Sequence, residues 1–186
     1  MHEAGIGGRL LRVDLGACLT RGAVAGVSAG LLFLLANMGW ATKSGLPGVA
    51  PLIDMATIFN VTETPDPTPE NIAIGLVTHL NLSLLFGIGF GLIAAFLRDA
   101  RMLLVAGPAY GVALYLVNFQ VLGRTAFPWF QEGPDQLFEL FAHAGYGLLL
   151  VPFVIGLHGR HLWAESQERV RSTHAQLGAT PARLPG

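Results

Sequence analysis

The stretch Gly75-Leu-Val-Thr-His-Leu-Asn-Leu-Ser-Leu-Leu-Phe-Gly-Ile-Gly-Phe-Gly91 decides the fold. It is the middle of an apolar run from Asn71 to Leu97 that contains no acid, Lys or Arg. A helix needs about 20 apolar residues to cross the hydrocarbon of a bilayer, and this run exceeds that. Inside it sit His79, Asn81 and Ser83. Ionisable groups are costly in hydrocarbon, so a span that keeps one marks a candidate functional site.

The rest of the chain agrees with a membrane reading. Of its 186 residues 52% are hydrophobic and only 12% charged, with a mean hydropathy of +0.54. Soluble domains carry about 25% charged residues. A net charge of −1 gives no electrostatic footprint for nucleic acid. The single Cys18 excludes an intrachain disulfide and any Cys-based zinc or iron–sulfur centre. The first apolar run has full span length, so it reads as a retained anchor rather than a cleaved signal. No lipidation motif stands at either end.

Four spans follow from the runs, at about 21–42, 71–97, 102–122 and 136–157. They make residues 20–158 a transmembrane domain between an N-terminal segment, 1–19, and a polar tail, 159–186. Leu10, Leu11, Leu15 and Leu19 with Arg9, Arg12 and Asp14 fit either an amphipathic surface helix or a loose tail. In the first span Gly22, Gly26 and Gly30 recur every four residues; Gly87 and Gly91 do so in the second. Such ridges let helix backbones approach closely. Between these spans, Leu52, Met55, Ile58 and Phe59 share one helical face, which predicts a short helix on the membrane or capping the bundle. A Pro-rich connector leads to Thr68-Pro69, a cap followed by a favoured first-turn residue. Pro108 and Pro152 are expected to bend the third and fourth spans. Phe127-Pro-Trp-Phe130 is expected at the membrane interface. Glu165 and Arg169, at helical spacing, extend the fourth span's helix into solvent.

Orientation follows from Lys and Arg. Arg9, Arg12, Arg21, Arg98, Arg101, Arg160, Arg169, Arg171 and Arg183 fall on one side, and only Lys43 and Arg124 on the other. This asymmetry places both termini in the cytoplasm. The fold class expected is all-α: an up-down-up-down bundle of four transmembrane helices in a bacterial inner membrane.

The intramembrane polar residues gather toward the outer side. His79 and His143 each lie roughly 10–12 Å below the outer surface at 1.5 Å per residue. Asn37, Asn118 and Gln120 lie near the outer ends of the first and third spans. Glu139 is one turn above His143, and Ser83 one turn below His79. Three readings stand open. The polar groups glue helices together, each bond contributing about 0.5–2 kcal/mol. Alternatively, His79 and His143 ligate haem b, or with Glu139 a divalent metal. Or Glu139 and His143 titrate in an apolar setting as part of a proton or small-solute path. No nucleotide-binding loop or hydrolase motif is present, and nothing argues for an enzyme.

Several short motifs carry a resemblance. They are the Gly-rich first span, the Pro-rich outer loop, Val77-Thr-His-Leu-Asn-Leu-Ser83, Val121-Leu-Gly123 before Phe127-Pro-Trp129, and Glu139-Leu-Phe-Ala-His143. Over Arg21 to Arg160 the chain resembles the YagU-like bacterial inner-membrane proteins, small four-helix proteins whose association is with acid stress. The outer loop differs in detail from theirs. The resemblance implies a four-span fold and a role in acid physiology, not a mechanism. From the residues themselves, the function expected is a non-catalytic accessory or assembly subunit of a larger respiratory or photosynthetic type of membrane complex. Its partners would be membrane lipids and either another membrane protein or further copies of itself. The alternatives are the haem- or metal-binding protein and the pH-responsive membrane protein.

Overall fold

A computed structural model describes residues 14–60, 65–97, 99–131 and 133–178, the side chains of 156–168 and 174–178 excepted. Most of the N-terminal segment, the Glu165 side chain and the last eight residues therefore lie outside the described residues. Every regular element among those described is helical. We number them α1 (Leu15–Lys43), α2 (Ala50–Asn60), α3 (Pro69–Ala94), α4 (Ala100–Thr125) and α5 (Gln136–Gly178). The stretch Leu116–Leu122 of α4 is π-helical, and a short 3-10 turn, Pro128–Gln131, precedes α5. The helices α1, α3, α4 and the Gln136–Ile155 part of α5 are each long and apolar enough to cross a membrane.

The helix starts are set by short polar side chains. The Asp14 carboxylate accepts from the Ala17 amide at 2.9 Å, so α1 begins six residues before the Arg21 expected from hydropathy. Thr68 accepts from the Asn71 amide and is followed by Pro69 at the first helical position, as that pair of residues predicts. Asp99 accepts from the Met102 amide and starts α4 after a tight turn. Asp135 accepts from the Leu137 and Phe138 amides and starts α5. Beyond Ile155, α5 continues without a break to Gly178.

Packing proceeds through two glycine seams. Along the first, a Cβ on Gly22 would stand 2.6 Å from the Gly87 carbonyl oxygen, and one on Gly26 2.9 Å from the Gly87 Cα. A Cβ on Gly91 would meet the Cys18 carbonyl oxygen at 2.5 Å. Only hydrogen fits there, so the α1 and α3 backbones touch. The second seam joins α4 to α5. A Cβ on Gly107 would lie 2.6 Å from the Gly147 carbonyl, and one on Gly111 would strike the His143 carbonyl. In both seams residue numbers climb on one helix as they fall on the other.

The two seamed pairs meet mainly where α1 packs on α5. Between α3 and α4 the backbones stay apart and aromatic rings fill the space. Tyr110 donates to the Phe86 carbonyl at 2.9 Å and packs on Phe90, ring centroids 5.3 Å apart. One half of the bundle is closed by an apolar core of Phe90, Leu103, Leu150, Val151 and Val154, all at most 1% exposed, with Cys18, Ala25 and Ala29 beside them. The other half is roofed by α2 and the 128–131 turn. The α2 backbone at Leu52 lies so close to Gly75 that a Cβ there would overlap it. Trp129 donates through Nε1 to Thr57 Oγ1 at 2.9 Å and holds the turn to α2. Phe130 and Phe119 are buried against Tyr115, with Phe127 and Trp129 partly buried around them. The aromatic loop expected at the membrane interface is thus a second small core. Its rings pack with Tyr115 and Phe119 of α4, Met55 and Ile58 of α2 and Leu140 of α5.

Candidate functional site

Beneath the α2 roof lies a cavity of about 870 Å³. Every span contributes polar side chains to its wall: Asn37 from α1, His79 and Ser83 from α3, Asn118 from α4, and Glu139 and His143 from α5. Helix α2 adds Asp54. Aromatic faces of Phe33, Phe86, Phe119 and Tyr146 complete it. The lining runs from Tyr146, deep in the bundle, to Ser44, Leu46 and Asp135 at the loop end.

The buried polar residues among those described are Asn37, Thr57, His79, Ser83, Glu139 and His143. Five of the six are the residues that hydropathy and depth single out in the sequence. His79 is held across the first seam: its Nε2–H donates to the Gly30 carbonyl at 2.9 Å, and Ser83 Oγ lies 3.4 Å from the same nitrogen. That bond requires Gly30, because a Cβ there would collide with the Ser83 side chain. On α5 the Nδ1–H of His143 donates to the Glu139 carbonyl at 2.8 Å, and the same nitrogen is 3.4 Å from the Glu139 carboxylate. Tyr146 donates to the Ser83 carbonyl at 3.0 Å, tying α5 to α3 below the cavity. Asn37 donates to the Phe33 carbonyl one turn back.

Two members of the expected polar cluster stand elsewhere. Asn81 is exposed on the outside of α3 and donates to the Val77 carbonyl of its own helix at 2.8 Å. His79 and Ser83, four residues apart, share a face, so Asn81 midway between them must point the other way. Gln120 lies outside the cavity wall, in a polar chain at the end of α4. It donates to Tyr115 Oη at 2.9 Å and accepts from Arg124, while Tyr115 donates to Gln136 at 3.1 Å. Asn118, two residues away in the same π-helical stretch, does line the cavity.

The arrangement does not make a ligand set from His79, Glu139 and His143. Among the described residues no three His, Cys, Asp or Glu side chains converge to hold a metal ion. For haem, two imidazole nitrogens must face one iron. His79 spends its Nε2 on a backbone carbonyl, and Phe33 lies against both rings, its centroid 6.1 Å from His79 and 4.9 Å from His143. A hydrocarbon ring is the common neighbour of the two histidines.

Asp54, between the first two spans, also lines the cavity. It lies with Pro51 and Ile58 on the cavity side of α2. The spacing 51, 54, 58 traces one helical face, and that was the signal available. Burial pushes its carboxyl up from the ordinary 3.8 to about 6, and the charge of Glu139 adds to the rise. A carboxyl outside the spans thus shares a low-dielectric chamber with Glu139 and His143. Comparison with protein-family models, with curated proteins and with solved structures finds no match, so the site is read from its own geometry.

Proposed function

We propose that this chain is a non-catalytic, pH-responsive membrane protein in which the seating of α2 over the cavity depends on the protonation of Asp54. The observation that carries the reading is the placement of Asp54, on the one helix outside the spans, in the same cavity as Glu139 and His143. Two carboxylates in one apolar chamber do not both ionise without cost. The seated state therefore holds the Asp54 proton more tightly than a lifted or unfolded state does. Its contribution is complete below about pH 3.8, declines as pH rises, and is lost above about pH 6. Acid closes the roof and neutral pH loosens it.

Supporting a place in a bacterial inner membrane with both termini cytoplasmic are the nine-to-two division of Lys and Arg and the opposed residue order in both seams. These also support an up-down-up-down order of spans. The resemblance to YagU-like proteins points to acid physiology and rests on a segment that contains His79, Glu139 and His143. The accessory-subunit reading drew on glycine ridges, and those ridges are filled within the chain by α1 on α3. What favours it is α5, which continues as helix to Gly178, past the end of its span.

The test is hydrogen exchange of α2 in lipid nanodiscs at pH 5.0 and 7.5, corrected for intrinsic rates. Amides of 50–60 are expected to be protected at pH 5.0 and to exchange faster at 7.5. Asp54→Asn should be protected at both. An Asp54→Asn protein that keeps the full pH dependence sinks the proposal.

A further inference from the structure

We propose that the cavity binds a lipophilic organic monocation, taken from the loop side in exchange for one proton carried at its α2 wall. This deepens the pH-responsive reading and rests on it.

Size comes first. At about 870 Å³ the cavity is within the range of sites that enclose drug-sized molecules, roughly 300–1,000 Å³. Charge comes second. Its wall carries three carboxyl groups, Asp54, Asp135 and Glu139, and no Lys or Arg among the described residues. Lys43 Nζ sits 4.8 Å from the Trp40 ring centroid, and Arg124 donates to Gln120. The other titratable groups facing the chamber are His79, His143 and Tyr146, each already donating to a backbone carbonyl. An anion would meet this acidic field without a counter-charge.

The wall chemistry then narrows the cation. Aromatic faces from all sides suit a diffuse positive charge, which they attract through the ring quadrupole. A small inorganic cation gives up its water only for several converging ligands, and no three His, Cys, Asp or Glu side chains converge to hold one among the described residues. A cation whose charge is spread over apolar substituents loses little hydration and gains the aromatic contact. Its arrival supplies the positive charge that allows Asp54 to ionise, so one proton leaves.

Equilibrium dialysis of tetraphenylphosphonium against the full chain in zwitterionic nanodiscs tests this, with empty nanodiscs subtracted. Tetraphenylborate, of the same shape and opposite charge, is the control. Saturable binding of one cation per chain is expected, about tenfold tighter at pH 7.5 than at pH 5.0, as displacement of one proton with a midpoint near 6 requires. Asp54→Asn and Glu139→Gln should each weaken it at pH 7.5 and flatten the pH dependence. Saturable binding of the borate as tight as the phosphonium overturns the proposal, and so does the absence of saturable cation binding. If the phosphonium fails while α2 exchange still responds to pH through Asp54, the ligand assignment falls alone. If both fail, the pH-responsive reading falls with it.

Discussion

At the scale of single residues, glycine and histidine divide the work. Gly26 touches the α3 backbone at Ser83 and Gly87, where no side chain exists to move aside. Gly26→Ala should therefore cost about 1–3 kcal/mol and is expected to lower the thermal midpoint in detergent. Gly39→Ala meets nothing within 4 Å and gains helix propensity, so the same measurement should show no loss. His79→Leu removes the bond to the Gly30 carbonyl across the seam. The expected loss is about 1 kcal/mol, typical of an interhelical hydrogen bond in a membrane. Much of the site was legible at this scale. An apolar helix that retains His79, Ser83, Glu139 and His143 has to satisfy them internally, and they are buried. Asn81 was not separable from them by hydropathy, because depth is visible in a sequence and helix rotation only through spacing. Asp54 was missed for the opposite reason. It stands on a short helix recognised by its apolar residues Leu52, Met55, Ile58 and Phe59, and only the docking of that helix on the bundle brings the acid to the cavity wall.

At the scale of elements, the unexpected result is how α2 is held. Leu52 seats its backbone on Gly75, and Trp129 reaches over to Thr57. Neither contact follows from local pattern, since each joins residues far apart in the chain. Trp129→Phe keeps the ring but loses the donor. The expected outcome is faster hydrogen exchange in 50–60 at pH 5.0 with the spans unchanged, which the exchange experiment above would register. The spans themselves were legible because four apolar runs of this length have one stable solution in a bilayer. Their ends were less so. Asp14 starts α1 early because one carboxylate satisfies an amide that hydropathy does not count. The second seam, Gly107 and Gly111 against Gly147, has the same small-residue spacing as the first and was there to be read. Pro108 stands between its two α4 glycines, and a proline there reads as a bend rather than as part of a packing ridge.

At the scale of the molecule, the arrangement has an inside and an outside. Cys18 is 2% exposed, so the native chain offers little thiol background for labelling. Ser44, exposed after α1, and Ser172, exposed near the end of α5, lie at opposite ends of the proposed topology. Ser44→Cys should react with an impermeant maleimide on intact inner-membrane spheroplasts, and Ser172→Cys only after permeabilisation. The reverse pattern would invert the assignment of sides.

The plug of Phe90, Leu103, Leu150 and Val154 has an electrical consequence. In a bilayer crossed by the four spans it would insulate the cavity from one face, and the cavity floor would sit within the transmembrane field and not at the potential of either solution. A unit charge held about a third of the way across feels about 0.8 kcal/mol for each 100 mV, which is about a fourfold change in occupancy. The protein would then conduct no current, yet its charge state would follow the membrane voltage as well as the pH.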